Sequence, residues 1–380
     1  MVMIAEREAA GERLMKLLSF LNDDPDNVSL ALDAAATAFT AGEPEIALSL
    51  SARLNEQGAL SPPQIGELGL AALAAGAYPA ADTLFGSLFA GGETDPGVRF
   101  NLAYARAGCR QPQDALALLT PDITQALPQA AALEVRLLHE LGEFERALET
   151  ARLHLVAFPD DRSLLAAASV LAIDNEDREL ARDCARRAGN HPEALATLGT
   201  LSLGDADIPS ALDHFGRALD LDARAPRSWI GQGLARLASG DAAAAASDID
   251  RGADLFNDHI GSWLAAGWAW MIAGDAEKAA ERFERARQID PAFAETVGSL
   301  AVIDAVSGRH DEARRKSLAA LRLDRESFTA LFAQSLLQAG AGQSSNARQI
   351  FDALVTTPVG VTGLTVSAMV SKLASGATRV

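Results

Sequence analysis

The sequence is short of almost everything that chemistry, membranes or nucleic acids would ask of it. It has two cysteines, Cys109 and Cys184, far apart and in no CxxC spacing. A disulfide framework is therefore unsupported, and the usage fits a reducing cytoplasm. Aromatic residues make up 5% of the chain. Lysine occurs only at Lys16, Lys278, Lys316 and Lys372. Alternating runs of β-branched and aromatic residues are hard to find, which argues against a sheet. No stretch reaches the roughly 18–20 apolar residues that a membrane helix needs. The N-terminal MVMIAEREAAGERL is acidic where a signal peptide is basic.

The missing charge is positive. Lysine and arginine total 33 against 51 aspartates and glutamates, for a net charge of −18. Such a surface repels phosphate backbones and anionic membrane surfaces, so neither nucleic acid nor membrane is the expected partner. It suits a partner with basic segments.

Catalytic constellations are missing as well. The six histidines (His139, His154, His191, His214, His259 and His310) form no HxxxH or HExxH spacing. There is no GxxxxGK[ST], GxGxxG or GxSxG motif. Asp23-Asp24-Pro25-Asp26 lacks the alternation and glycine of a calcium loop and reads as a turn. No metal, cofactor or enzymatic activity is expected.

What the chain does have is alanine and period. From Ile260, Trp263, Gly267, Trp270, Gly274, Ala279, Phe283, Ala286 and Pro291 follow at fixed offsets. Thirty-four residues earlier stand Trp229, Gly233, Gly240, Ala245, Ile249 and Gly252. Thirty-four later stand Val297, Ala301, Gly308, Ala313, Ser317 and Ala320, and a further step meets Leu331, Gly342, Ala347, Phe351 and Leu354. One step back from the Trp229 unit gives Leu195, Gly199, Ala211, Phe215 and Ala218. Looser units are anchored by Gly42 and Ala47, by Gly76, Ala81 and Phe85, by Tyr104, Gly108 and Ala115, by Gly142, Ala147 and Pro159, and by Ala181, Ala185 and Ala188. Ten units start near 28, 62, 94, 128, 162, 192, 226, 260, 294 and 328. The third carries about two extra residues in its turn.

This order resembles the tetratricopeptide repeat, W-x2-L-G…G-x4-A-x3-F-x2-A-x4-P, over residues 28–361. The resemblance implies an all-α, right-handed superhelical solenoid of helix-turn-helix units. A glycine ends the first helix of a pair, small residues at the eighth and twentieth places let the two helices close, and large ones at the fourth and twenty-fourth fill between units. One pair cannot bury its own apolar face, so stacking does it. Residues 1–27, with Leu14, Leu17, Leu18 and Leu21 on one helical face, are expected to cap the start. In residues 362–380 a final helix is expected over 363–375. Both segments are too short to hold a catalytic domain.

In this family the second, fifth, sixth, ninth, twelfth and thirteenth places of each unit face a concave groove. Here the resemblance assigns to it Val98, Arg99, Leu102 and Arg106, then Leu133, Arg136 and His139. Further along it assigns Ile230, Leu234 and Leu237, then Leu264, Trp268, Met271 and Ile272, and finally Val302, Val306, Phe332 and Leu336. Trp270 reads as core. No lysine falls at these places, so the family's lysine clamp for a peptide carboxylate is missing. Arg99, Arg106 and Arg136 would make a small cationic spot. The C-terminal half of the groove is apolar, and an apolar strip usually marks an interaction site. The expected function is a cytoplasmic scaffold or adaptor that holds a partner's helix or apolar segment. The alternative is self-assembly, for example a homodimer through the same array.

Overall fold

In the computed structural model, residues 2–56, 60–93 and 95–343 are described, together with 345, 348–349, 352, 358–359 and 364–365. The chain divides into two compact units, Met1–Asp177 and Arg178–Val380.

The first unit opens with α1 (Val2–Asp23). Its Leu14 and Leu21 are buried against the next helices, with Leu17 and Leu18 partly so. Pairs follow: α2 (Val28–Ala41) with α3 (Pro44–Glu56), and α4 (Pro62–Ala74) with α5 (Tyr78–Ala90). Then α6 (Pro96–Gly108) meets a second helix broken into α7 (Pro112–Leu118) and α8 (Pro121–Ala126). Pro121 causes the break, because it has no N–H to continue α7 and is well placed to start a new helix instead. The unit ends with α9 (Pro128–Glu140), α10 (Phe144–Ala157) and α11 (Arg162–Asp174).

The second unit contains α12 (Arg178–Ala188), α13 (Pro192–Gly204), α14 (Ile208–Leu221), α15 (Pro226–Ala238), α16 (Ala242–Phe256) and α17 (Ile260–Ile272). It continues with α18 (Ala276–Ile289), α19 (Ala294–Val306), α20 (His310–Leu323) and α21 (Phe328–Gly340). Two short strands, β1 (Pro358–Val359) and β2 (Leu364–Thr365), pair antiparallel. This corrects the expected closing helix at residues 364–365, and the rest of 363–375 lies outside the described residues. Phe351 and Leu354, expected in the tenth unit, lie outside them too. Among the described residues no helix is long and apolar enough to cross a membrane.

The turn between the two helices of a pair repeats the same backbone solution. The fifteenth residue of each unit is left-handed, and its N–H and the next close a double hydrogen bond onto the helix end. Gly274 N donates to Met271 O at 3.1 Å and Asp275 N to Trp270 O at 2.9 Å. Glycine fills this place at Gly42, Gly76, Gly142, Gly240, Gly274, Gly308 and Gly342. In the other three units it is Arg110, Glu176 and Ala206, with φ of 58°, 59° and 60°. An aspartate often follows and caps the second helix: Asp207, Asp241 and Asp275 accept from the N–H of Ser210, Ala244 and Lys278.

Packing across each pair rests on small residues. The twentieth-place alanines, from Ala47, Ala81 and Ala115 through Ala279 and Ala313, are completely buried. At the eighth place of the eighth unit, a Cβ on Gly267 would run into the ring of Phe283, itself completely buried. Gly69 under Phe85 and Gly199 under Phe215 repeat the arrangement.

Two measurements follow from the turn. Ala206→Gly relieves a left-handed L-residue and raises stability to urea by about 0.5–1 kcal/mol. Gly274→Ala, with no atom near its added methyl, lowers it by about 1 kcal/mol through the backbone alone. A pH effect follows from the cap. The hydrogen bond from Lys278 N–H holds the Asp275 carboxyl below the usual aspartate range. Its contribution is present above the ordinary aspartate pKa and is lost as pH falls through the lowered one. Asp275→Asn keeps the cap without the titration, so unfolding curves against pH for the two proteins converge in acid.

Candidate functional site

The residues that face away from the pair core on the first helices form a row in each unit, and the two rows differ. In the first unit, the third repeat corrects the sequence reading. Its first helix begins at Pro96, not near 94. The two-residue offset turns the expected groove residues sideways. Leu102 is completely buried. Arg99 donates to Leu118 O at 3.3 Å and lies 3.9 Å from Asp122. Arg106 pairs with Asp82 at 3.1 Å. Arg136 donates to Ser163 O at 3.4 Å, and Leu133 is buried. These arginines tie neighbouring helices together and form no cationic spot.

With Pro96 as the first place, the outward positions are Phe100, Asn101 and Tyr104. Tyr104 is exposed and lies 6.3 Å from Tyr78, edge to face, and 6.1 Å from Phe100. The signal that would have found them is Ala115. As a twentieth-place alanine it counts back to 96. Nearer the N-terminus a cleft of about 200 Å³ between α2 and α4 is lined by Leu32, Asp33, Gln64 and Glu67. Asp33 there already pairs with Arg13 at 2.7 Å.

Two histidines of the first unit serve as inter-helix ties. His154, buried on α10, meets Glu134 of α9 at 2.7 Å. His139 of α9 meets Asp174 of α11 at 2.7 Å. Among the described residues no cluster of three histidine, cysteine, aspartate or glutamate side chains is placed to hold a metal ion.

The row of the second unit is almost free of charge. Leu234 on α15 is exposed, and so is Val306 at the end of α19. Ile272, at the end of α17, is 62% exposed. Ile230, Leu264, Met271 and Trp268 are half-buried. The side chain of Ile230 fills the space above Gly252 on α16. Trp268 stands edge to face with Phe283 at 5.5 Å and 6.3 Å from Phe332 on α21. Trp270, expected in the core, is half-buried and packs against two core clusters, with the Lys278 ammonium 4.0 Å over its ring.

Val302 is the exception in this row, and a correction. It is 1% exposed, because α21 packs across α19 and brings Phe332 and Leu336 onto it. The approach is made possible by Gly298, where a Cβ would collide with Thr329 and the Ala330 N–H. Glu295 locks it: its carboxylate accepts from the N–H of Phe328 at 2.8 Å and of Thr329 at 3.1 Å.

No family model matches the chain, and no curated protein matches it. Solved structures do. A monomeric mutant of IFIT1 with Gppp-AAAA is similar at 13% identity, covering 91% of this chain and 94% of that one, with a TM-score of 0.52. PilF of Pseudomonas aeruginosa matches at 18% identity over 55% of this chain and 96% of its own, with a TM-score of 0.46. MamA matches at 15% identity over 50% and 96%, with a TM-score of 0.36. The fold is a helical solenoid of tetratricopeptide type. At this identity the likeness speaks for the fold alone.

The crossing at Gly298 gives a direct test. Gly298→Ala overpacks it and costs about 1–3 kcal/mol in urea unfolding. Gly11→Ala, in α1 with no atom within 4 Å of the added methyl, gains about 0.5–1 kcal/mol from helix propensity.

Proposed function

We propose that the protein is a non-enzymatic scaffold in the cytoplasm, holding an apolar or amphipathic segment of another protein along the first helices of its second unit. The observation that carries this reading is the exposed row of Leu234, Ile272 and Val306 beside half-buried Trp268. Exposed apolar side chains on one face of successive repeats are costly to leave in water, and such surfaces usually mark a protein contact. Methionine next to tryptophan gives such a surface adaptable contact area. A ladder of first helices suits a long ligand because each repeat adds one short contact.

Ligand class can be weighed on charge. The IFIT1 structure carries Gppp-AAAA. The present chain has a net charge of −18, and Arg99, Arg106 and Arg136 are engaged within the protein. Neutralising phosphates takes free lysine and arginine, so a protein segment is preferred here over RNA. A basic flank on that segment would gain from the chain's net charge of −18.

Affinity capture from the native host with Leu234→Glu and Ile272→Glu variants tests the reading. Both positions are solvent-facing, so thermal stability stays within a few degrees of wild type while recovery of the main partner falls at least tenfold. Full recovery by the folded variants would overturn it. Light scattering separates the alternative of self-assembly: a monomer over a wide concentration range favours the scaffold, and a dimer dispersed by Ile272→Glu favours assembly.

A further inference from the structure

In a repeat array each unit ordinarily touches only the next one. The second unit departs from this at its end. Trp268 of the eighth repeat and Phe332 of the tenth lie 6.3 Å apart, with buried Val302 of the ninth among the residues they pack on. Every residue of α19 from Gly298 to Ala305 is consequently buried, Leu300, Val302 and Ala305 among them. Helix α21 therefore lies over the first-helix face and not merely beside it.

The manner of its seating is that of a helix laid in a groove. Such ligands present apolar anchors at helical spacing. In α21 these are Phe328, Phe332 and Leu336, each four residues from the last. Phe332 and Leu336 pack against the cluster around Val302 that Trp268 and Met271 also reach, Phe332 lies 6.3 Å from Trp268, and Phe328 stacks on Phe332 at 6.4 Å. The helix N-terminus is received by the Glu295 carboxylate, which takes two of its N–H groups. The Thr329 hydroxyl donates to Glu295 O at 2.9 Å. Apolar anchors and an acidic acceptor for a helix start together describe one kind of ligand.

We propose that α21 occupies, in the free protein, the place of a partner helix. The partner is an amphipathic helix with apolar side chains every fourth residue, its N-terminus presented to Glu295, and it binds by taking the place of α21. This rests on the scaffold reading above and names its partner class. An attached segment competes at high effective concentration. A free helix of equal quality therefore binds weakly until α21 is loosened.

The probe is a labelled peptide of residues 328–340, FTALFAQSLLQAG, titrated against the full chain by fluorescence anisotropy. Wild type binds it weakly. Phe332→Ala, checked for native circular dichroism, binds at least tenfold more tightly, and Glu295→Gln in that background loses part of the gain. Trp268→Ala in the same background returns binding to the wild-type level. A folded Phe332→Ala chain with no gain, or a gain indifferent to Trp268→Ala, overturns the proposal. Should Phe332→Ala fail to fold, hydrogen exchange on wild type with saturating peptide decides. Faster exchange in α21 with α15 unchanged supports displacement, and unchanged exchange in α21 overturns it. Failure here leaves partner capture through Leu234 and Ile272 standing, since those side chains are exposed in the presence of α21.

Discussion

The structure depends on one contact, that of a large side chain on one helix with a bare backbone on the other. Phe283 over Gly267 is the type, repeated by Phe85 over Gly69 and Phe215 over Gly199. It lets the two helices of a pair approach until the twentieth-place alanines vanish from solvent. Helices this close, rich in alanine, bury little apolar area per pair. The remainder is buried only by stacking the next pair, which is why the core of the first unit runs without interruption from Leu14 to Leu137. Some outward places of the first helices serve the packing, as at Ile230, Trp268 and Val302, and others do not. Where those places carry leucine, isoleucine and valine, as at Leu234, Ile272 and Val306, packing within the described protein does not account for them.

Much of this was legible in the sequence because period and residue size coincide. In the units starting at 192, 226, 260, 294 and 328, first helices begin at Pro192, Pro226, Ile260, Ala294 and Phe328. What misled was the missing glycine. Arg110, Glu176 and Ala206 occupy the left-handed turn that glycine marks elsewhere. In the third repeat Gly108, two residues early, took its place in the count. That shift of two residues is a rotation of about 200° on a helix, enough to send Leu102 from the groove to the core. Val302 failed for a different reason. Its place in the repeat is outward, but Gly298 and Glu295 draw α21 over it. A consensus marks which places face outward in each unit, and it does not record a neighbouring first helix drawn in this close.

The distribution of charge gives the two faces separate roles. Arginines and a lysine pair across helices, as Arg282 does with Asp250 at 2.5 Å and 2.7 Å and Arg309 and Lys316 do with buried Asp304 at 2.8 Å and 2.7 Å. The tryptophans at the fourth place are clasped in the same way. Trp229 lies under the Arg251 guanidinium at 4.2 Å and donates to Ala223 O, and Trp263 donates to Asn257 O. These positive charges hold neighbouring helices together. The net charge of −18 that is left repels other anions, while exposed Leu234, Ile272 and Val306 on the first helices of the second unit are apolar.

The central claim is that this row, and not the outer helices, meets the partner. Site-specific photo-crosslinking in the native host addresses it, with a photoreactive phenylalanine at Leu234 or Ile272 on the first helices and at Leu318 or Leu323, exposed on α20. The account predicts one discrete adduct from Leu234 and Ile272 and none from α20. Adducts from Leu318 and Leu323 with none from Leu234 and Ile272 would contradict it.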